Sequence, residues 1–574
     1  MNPTSQFWLL FALVNCYYFI PRYLLELFHS QFFPIQGFTT GSINQKLRHF
    51  LMRRNYDLFR ISVDFLVLVL LYPLLLKNHV PVLFYTIFVC VYFWLSLLYQ
   101  VYYQTFHKIY QLDPVFFHDF LMLKTAMQIF IHEYGLKSLL MTCVAAIIGI
   151  SGAILIYFLV LTSQFVSFGL WSHVVIAFLM AGSLYSLLHY PYAKYPQITF
   201  QSQLQSFIRN ILFSHRSKKS LSHLTLKYMK QFNVDPQIRL RERPNLYFIV
   251  IESYGRITLQ EGALREQFMS YAPALEKSLA KSGWHIASGY TTSPVTGGAS
   301  WISYTSMLYG LNVRNQGVYL TMVKNKYMPE YDSLFHWLKR QGYVTFRISS
   351  LGGYEKMEIP YDGYSRLYGI DHWVKYKDLG YTGEHYGFGP SPPDQYALWK
   401  GDELTRQIAG STPRAVFFIT QNSHTPYDSP QGVAENWNAL NKNGYLTKKP
   451  SAFWSRPKFE KYGAAIEYQL RYLVDFIQKK STENDVFILV GDHQPPSLSI
   501  ALESFETPIH VISQSSAFVE SWPEYGLVHG LIPDEKSPPL RQEAIHWALM
   551  RSLIKIYGTE YSKLPPFLSH GIPY

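Results

Sequence analysis

The chain has 574 residues, of which 48% are hydrophobic, 17% aromatic and only 16% charged, against roughly 25% charged residues in ordinary soluble domains. So much apolar surface excludes a largely disordered chain. The net charge of +12 comes entirely from residues 1–243, which hold 20 Lys/Arg and 8 Asp/Glu, because residues 244–574 hold 31 of each. These basic residues flank long apolar runs, so they predict an anionic membrane surface as partner and no nucleic acid.

Three cysteines, Cys16, Cys90 and Cys143, all lie in apolar segments, where we interpret them as buried thiols. Residues 144–574 contain no cysteine. A disulfide framework, a Cys-ligated zinc site and a cysteine nucleophile are therefore excluded from the C-terminal part.

The first 190 residues predict an all-α transmembrane domain of about five helices that is integral to the membrane. A membrane-spanning helix needs about 20 mostly apolar residues, and five segments approach or exceed that length. The first of them lacks the basic start and the small-residue cleavage site of a signal peptide, so we interpret it as a retained anchor. The segments cover residues 7–28, 61–77, 80–103, 138–163 and 169–190.

Residues 191–243 form a basic, polar stretch that we interpret as a juxtamembrane linker of interfacial helices. A second basic stretch, residues 29–60, follows the first apolar segment. With five spans, the positive-inside rule places this stretch and the C-terminal domain in the cytoplasm. If residues 29–60 lie in the membrane interface instead, the rule does not decide on which side the C-terminal domain lies.

From Pro244 onward the pattern predicts an α/β domain, residues 244–574, with a mostly parallel sheet. Continuous apolar runs bounded by Pro or Gly are typical of buried parallel strands. Helix-like segments such as residues 464–480 lie between these runs, and this alternation favours the α/β class. The runs are NLYFIVIES (245–253), YVTFRIS (343–349), AVFFITQ (415–421), VFILVGD (486–492) and IHVIS (509–513).

Polar side chains follow three of these runs. Glu252 ends the first run, Asp492 and His493 end the fourth, and His424 follows the third within NSHTPY. Ligands bind beyond the carboxyl ends of parallel strands, so these side chains are expected to meet at one edge of the sheet. Each alone is an ordinary cap, turn or loop residue. Together, the carboxylates and imidazoles predict a site for one divalent metal ion, zinc or manganese.

The segment TTSPVTGGASWISYTSMLYGL (291–311) offers a nucleophile. Ser300 follows a Gly-Gly pair at the predicted start of a helix, where the helix dipole and free N–H groups favour an alkoxide and an incoming phosphate. A simple N-cap role is the alternative reading for Ser300. Thr296, Ser303 and Thr305 are rival hydroxyls in the same segment.

The ordered set VIES, a hydroxyl-bearing helix start ending in MLYG, SHTPY and GDH resembles the sulfatase-like branch of the alkaline phosphatase superfamily. With five apolar segments before it, the architecture further resembles lipoteichoic acid synthases, membrane phosphoglycerol transferases and lipid A phosphoethanolamine transferases. The resemblance implies an N-terminal all-α transmembrane bundle and a C-terminal α/β domain of the alkaline phosphatase/sulfatase type.

The resemblance implies a role for each candidate residue. Glu252, Asp492 and His493 match the metal ligands of the family. Ser300 matches the nucleophile, which also binds the metal, although these membrane transferases usually carry threonine there. His424 matches the histidine that contacts the transferred phosphoryl group or the leaving oxygen.

Headgroup recognition is expected within residues 347–358, which read RISSLGGYEKME and match no subgroup. Arg347 and Tyr354 are the candidates there. A true sulfatase is disfavoured, because formylglycine formation needs a Pro two residues and an Arg four residues after the modified side chain. Ile302 and Tyr304 occupy those positions.

The resemblance implies transfer of a phospho-headgroup, phosphoglycerol or phosphoethanolamine, from a membrane phospholipid to a glycan or lipid acceptor of the cell envelope. It also implies a bacterial cytoplasmic (inner) membrane, with the catalytic domain on the periplasmic or extracellular side. We prefer this side to the cytoplasmic side that the positive-inside rule gives for five spans. Two alternatives stay open: a phosphodiester or sulfate ester hydrolase, and a membrane scaffold with a degenerate enzyme domain.

Overall fold

The computed structural model divides into two compact units, Met1–His107 with Leu112–Arg216, and Lys108–Gln111 with Ser217–Tyr574. Each is described below by itself. The structure describes residues 2–25, 42–46, 60–110, 114–116, 119, 146–189, 199–222, 232, 234–260, 262–313, 315–324, 331–352, 361–387, 391–430, 432–442, 457–496, 498, 504–559 and 564–572.

The first unit is built from helices, as its long apolar runs predict. Its two short strands, β1 and β2, pair in parallel. The Ser62 hydroxyl at the end of β1 accepts a hydrogen bond from the Phe65 N–H and so caps the following helix. The elements are α1 Pro3–Leu25, β1 Ile61–Ser62, α2 Val63–Leu71, α3 Val82–Tyr110, α4 Ala146–Ser163, α5 Leu170–His189, β2 Phe200–Gln201 and α6 Gln203–Ser222.

Within the described residues, three helices are long and apolar enough to cross a membrane: Val82–Gln104, Ala146–Ser163 and Leu170–Leu188. They coincide with three of the five predicted segments. The other two also form helices, but the second, Val63–Leu76, is shorter than a span, and α1 is not among the three. Many large apolar side chains of the three helices, such as Phe84 and Trp171, point outward, as expected for a surface covered by lipid.

The second unit contains a nine-stranded sheet in its described part. Along the sheet the order is β10-β4-β9-β8-β3-β7-β5-β6, and β11 also pairs with β4. Strands β8, β3, β7, β5 and β6 run in parallel, and β9 is antiparallel to β8 and β4. The strands are β3 Asn245–Ile251, β4 His285–Thr292, β5 Val344–Ile348, β6 His372–Val374, β7 Arg414–Ile419, β8 Asp485–Gly491, β9 Glu506–Ser513, β10 Val528–His529 and β11 Leu540–Arg541.

Helices cover both faces of this sheet, because its central strands are apolar on both sides. On one face Tyr247 packs against Phe476, with ring centroids 5.8 Å apart. On the other, Phe417 lies 5.5 Å from Tyr304 and 5.9 Å from Phe335. The helices are α7 Ala263–Lys281, α8 Ser300–Tyr309, α9 Gln316–Lys324, α10 Leu334–Arg340, α11 Tyr361–Tyr368, α12 Asp394–Ala409, α13 Lys458–Lys480, α14 Ser516–Val519 and α15 Gln542–Tyr557.

The predicted fold class is confirmed: apolar helices precede an α/β domain with a mostly parallel sheet. Four of the predicted strand runs, which became β3, β5, β7 and β8, are adjacent in this sheet and parallel. Their carboxyl ends therefore share one edge, where the candidate site lies.

Candidate metal centre and active site

Two neighbouring strands bring the acidic residues together. Ile251 of β3 lies opposite Gly491 of β8, so the next residue of each strand, Glu252 and Asp492, lies at the same level of the sheet edge. Glu252, Asp492 and His493 are 3%, 0% and 1% exposed. One ligand atom from each of the three lies within 4.8 Å of the others.

At this edge the backbone of Gly491 packs directly against that of Tyr254. A Cβ atom at Gly491 would lie 1.9 Å from the Tyr254 carbonyl oxygen, so this position accepts only glycine. Ser253 adopts a left-handed conformation with φ 57°. Its N–H donates to Asp492 Oδ1 over 2.8 Å, and its hydroxyl donates to Glu252 Oε1 over 2.9 Å. Both carboxylates are thus held in place by one residue.

Ser300 is the first residue of α8 and points at this cluster. The turn before it has positive φ at Gly297, Gly298 and Ala299, which reverses the chain into the helix. The Ser300 hydroxyl donates to Glu252 Oε2 over 3.1 Å and lies 3.2 Å from His493 Nε2. The hydroxyl, both carboxylates and the imidazole therefore converge on one point.

The donor set fits a divalent metal ion. His493 Nδ1 donates to the Gln494 carbonyl over 2.9 Å, which leaves the lone pair of Nε2 directed at the cluster. Asp492 Oδ2 is buried, accepts no hydrogen bond within the described part of the chain, and lies 3.3 Å from His493 Nε2. Burying a carboxylate oxygen that accepts no hydrogen bond is costly, and a cation bound there would lower that cost. Carboxylate oxygens, an imidazole nitrogen and a hydroxyl are ligands that zinc and manganese accept.

The charges of the cluster act on one another. Burial, followed by the negative charge of Glu252, raises the pKa of the Asp492 carboxyl to about 7. Burial alone would lower the pKa of His493, but Asp492 and Glu252 raise it above its ordinary value. Without a metal, the cluster therefore holds protons that a bound metal ion would displace.

This competition predicts a pH-dependent metal affinity. Below about pH 7 a proton on Asp492, and one on His493, must leave before the metal binds, whereas at higher pH the carboxyl is already ionised. We expect the dissociation constant for zinc to increase as pH falls from about 8 to about 6, by up to about tenfold per pH unit for each displaced proton. Titration of the detergent-solubilised full chain against a competing chelator measures it, and an affinity independent of pH would contradict this electrostatic picture.

Residues 244–512 match the family model described as Sulfatase. The match confirms the predicted resemblance to the sulfatase-like branch, and it spans Glu252, Ser300, His424 and the Asp492–His493 pair. A search of curated proteins found no match.

Solved structures similar to this chain include three bacterial proteins of low sequence identity. The lipoteichoic acid synthase LtaP of Listeria monocytogenes is 15% identical, and the match covers 60% of this chain and 81% of that one with a TM-score of 0.38. The integral membrane protein lipooligosaccharide phosphoethanolamine transferase A (EptA) of Neisseria meningitidis is 13% identical, and the match covers 90% of this chain and 99% of that one with a TM-score of 0.40. The C-terminal periplasmic domain of EptC of Escherichia coli, in complex with zinc, is 16% identical, and the match covers 58% of this chain and 88% of that one with a TM-score of 0.37.

The other candidate hydroxyls of residues 291–311 have no described hydrogen bond to the cluster. Ser303 donates to Gln542 over 2.7 Å, and Thr305 bonds to the Trp301 carbonyl and to the Tyr368 hydroxyl. Thr296 Oγ1 is buried without a hydrogen-bond partner in the described part of the chain. Of the four candidates, Ser300 is the one whose hydroxyl has described hydrogen bonds to Glu252 and His493.

His424 follows β7, whose carboxyl end lies beside that of β3. Its Nδ1 donates to the Thr425 carbonyl over 2.7 Å, so Nε2 carries the lone pair. Burial lowers the pKa of His424; the bond to the Thr425 carbonyl opposes this, and smaller charge effects come from His493, which lowers the pKa, and from Asp492, which raises it. His424 is therefore a neutral imidazole at neutral pH, close enough to the cluster to sense its charges.

Of the two headgroup candidates, the structure describes only Arg347. Arg347 lies within β5, is 3% exposed, and its guanidinium stacks 4.4 Å from the Trp373 ring and 5.5 Å from the Tyr304 ring. Tyr354 lies outside the described residues. A headgroup role for either remains a prediction.

Sequence reasoning missed Gln542, at the start of α15. This side chain is fully buried. Its Nε2 donates to the Gly491 carbonyl over 2.8 Å and lies 3.1 Å from the Asp492 carbonyl, while its Oε1 accepts from Ser303 on α8. Gln542 thus joins the strand end that carries Asp492 to the helix that carries Ser300. It stands 50 residues after Asp492 along the chain, so no local motif signals it.

Replacing Gln542 with methionine keeps the side-chain volume but removes these hydrogen bonds. We expect metal affinity to fall by about 10–100-fold, because groups that orient metal ligands contribute on that scale. Gln395→Met is the matched control, since Gln395 is equally buried but bonds only to the backbone of Ala434 in the described contacts of its side chain. It should lower thermal stability and keep metal affinity. Equal loss of metal affinity in both variants would contradict the role given to Gln542.

Proposed function

We propose that this protein transfers a phospho-headgroup, phosphoglycerol or phosphoethanolamine, from a membrane phospholipid to a cell-envelope acceptor through a covalent intermediate on Ser300. The observation that carries the proposal is the hydroxyl of Ser300, which lies 3.1 Å from Glu252 Oε2 and 3.2 Å from His493 Nε2 at the start of a helix. A hydroxyl held among metal-type ligands is the arrangement of a metal-activated nucleophile.

Glu252, Asp492, His493 and Ser300 would hold the metal ion, which we propose to be zinc or manganese. When bound, it lowers the pKa of the Ser300 hydroxyl and withdraws charge from the phosphate. The N-terminal end of α8 would add positive potential where the phosphate oxygens of the donor bind.

In the first half-reaction, Ser300 Oγ attacks the phosphorus of the phospholipid, and the bond from phosphorus to the diacylglycerol oxygen breaks. The hydroxyl proton passes to Nε2 of the neutral His424 imidazole, which then gives it to the departing diacylglycerol oxygen. The Thr425 carbonyl, which accepts from His424 Nδ1, fixes the tautomer needed for this transfer. The products are diacylglycerol and a phosphodiester between Ser300 and the headgroup.

In the second half-reaction, a hydroxyl of a glycan or lipid acceptor attacks the same phosphorus. His424 Nε2 takes the acceptor proton and returns it to Ser300 Oγ as the Ser300–phosphorus bond breaks. Water in place of the acceptor would turn the same steps into hydrolysis. The three apolar helices of the first unit would hold the protein in the membrane that supplies the donor. We place it in a bacterial cytoplasmic membrane with the catalytic domain on the outer side.

The covalent intermediate provides the test. The full chain in detergent is incubated with phosphatidylglycerol or phosphatidylethanolamine and zinc or manganese, without acceptor, quenched in acid and digested. We expect fragmentation mass spectrometry to find phosphoglycerol or phosphoethanolamine esterified to Ser300. Release of diacylglycerol with an unmodified Ser300, or an ester on Thr296, would overturn the assignment.

A further inference from the structure

Helix α6, Gln203–Ser222, exposes a stripe of apolar side chains. Leu204, Ile208 and Leu212 are spaced four residues apart on one face, and they are 50%, 48% and 51% exposed. A helix on the surface of a soluble protein directs such a stripe inward.

The opposite face of α6 packs against the rest of the first unit, and it carries buried polar side chains beside Phe207, whose ring lies 5.3 Å from that of Tyr99. Asn210 is 4% exposed, and its amide donates to the Pro114 carbonyl over 2.7 Å and accepts from the Phe116 N–H over 3.1 Å. The fully buried Ser214 donates to Asn210 Oδ1 over 3.3 Å. The polar side chains Asn210 and Ser214 therefore form hydrogen bonds within the protein, while the apolar stripe on the other face of α6 is exposed.

Two contacts fix α6 at one end of the apolar bundle. Asp64, in the first turn of α2, accepts from the Gln203 and Leu204 N–H groups over 2.6 and 3.1 Å and so caps α6. Tyr99, near the end of the span Val82–Gln104, donates to the Ser206 carbonyl over 3.1 Å. α2 and α3 form a helical hairpin, in which the Tyr85 hydroxyl donates to the Leu68 carbonyl. The start of α2 and the end of the span in α3 therefore mark the same membrane boundary.

The charge of α6 is of one sign. Its sequence contains Arg209, Arg216, Lys218 and Lys219 and no acidic residue. Arg216 is exposed, one helical turn beyond Leu212. An apolar stripe with adjoining basic residues, placed at the end of a membrane span, is complementary to the headgroup layer of an anionic lipid leaflet.

We propose that α6 lies in the plane of the membrane, with Leu204, Ile208 and Leu212 inserted among the acyl chains of one leaflet. The exposed Arg216 binds the phosphates of anionic phospholipids there. This inference is independent of the chemistry proposed for Ser300, since it rests on the first unit alone. A second copy of the chain is the competing occupant of the stripe.

The test uses the full chain in lipid nanodiscs, with Cys16, Cys90 and Cys143 replaced and one cysteine introduced as Ile208→Cys or Leu212→Cys for an environment-sensitive fluorophore. Glu266→Cys, an exposed position of α7, is the matched control. We expect spin-labelled lipid to quench the probes at 208 and 212 while aqueous iodide does not, and the reverse at 266. Quenching by iodide at 208 and 212 would overturn the proposal, and so would protection from both quenchers, which a contact between copies would produce.

A separate measurement tests whether α6 prefers anionic lipid. Quenching at residue 208 is compared for spin-labelled phosphatidylglycerol and spin-labelled phosphatidylcholine at equal mole fraction. We expect phosphatidylglycerol to be favoured, by roughly fivefold for each basic side chain that reaches the headgroups. Arg216→Gln and high salt should both reduce this preference. Equal quenching by the two lipids would show that α6 does not select anionic lipid and would overturn that part.

Discussion

Replacing Ser300 with alanine is expected to lower headgroup transfer by at least roughly a thousandfold, because removal of a covalent nucleophile eliminates the route that it serves. The fold should persist, since Ser300 is a partly exposed residue at the first position of α8. Release of diacylglycerol from labelled phospholipid measures the rate, and thermal unfolding measures the fold.

Ser300→Thr is the matched control, because it keeps the hydroxyl next to Glu252 and His493. We expect this variant to retain activity well above that of the alanine variant. Ser303→Ala removes a neighbouring hydroxyl that has no described bond to the cluster, so its loss of turnover should be far smaller than that of Ser300→Ala and limited to the effect of its bond to Gln542. Full activity in Ser300→Ala would contradict the nucleophile assignment.

Replacing Asp492 with asparagine is expected to lower metal affinity by at least about a hundredfold and to abolish transfer, because a charged ligand is exchanged for a neutral amide. Without metal, by contrast, the same substitution should leave the thermal stability of the protein unchanged or raise it. Asp492 and Glu252 are buried carboxylates close together, and neutralising one of them removes a like-charge repulsion. We expect the metal-free variant to melt at or above the temperature of the metal-free wild type, and its shift on adding zinc to disappear.

Asp485→Asn is the control for this experiment, since Asp485 is fully buried at the opposite end of the same strand and bonds to Asn245 and Thr482. That variant should melt at a lower temperature and still be stabilised by zinc. A zinc-induced shift of normal size in Asp492→Asn would contradict the metal site.

The sheet edge could be predicted from the sequence because parallel strands are encoded locally. The runs around Phe248 and Ile488 are continuously apolar, and the residue after each run necessarily reaches the carboxyl edge. Placing Glu252 and Asp492 side by side needs only that the two strands be neighbours, and they are.

Other features depend on contacts that no local pattern encodes. The choice of Ser300 over Thr305 follows from the three positive φ angles that precede α8, which set where the helix starts. The aromatic rings that surround Arg347 come from the neighbouring helix and strands, so the residues next to Arg347 in the sequence do not predict them. The predicted segment 61–77 corresponds to the helix Val63–Leu76, which is shorter than a span although it has the composition of one, because hydropathy alone does not fix where a helix ends.

The most direct test of the central claim incubates the full chain with labelled phosphatidylglycerol and, separately, labelled phosphatidylethanolamine, with and without zinc or manganese. The account predicts metal-dependent release of diacylglycerol from one of these lipids, and loss of that release in Ser300→Ala. If the protein binds metal and yet releases diacylglycerol from neither lipid, phospholipid is not its donor and the proposed transfer is contradicted.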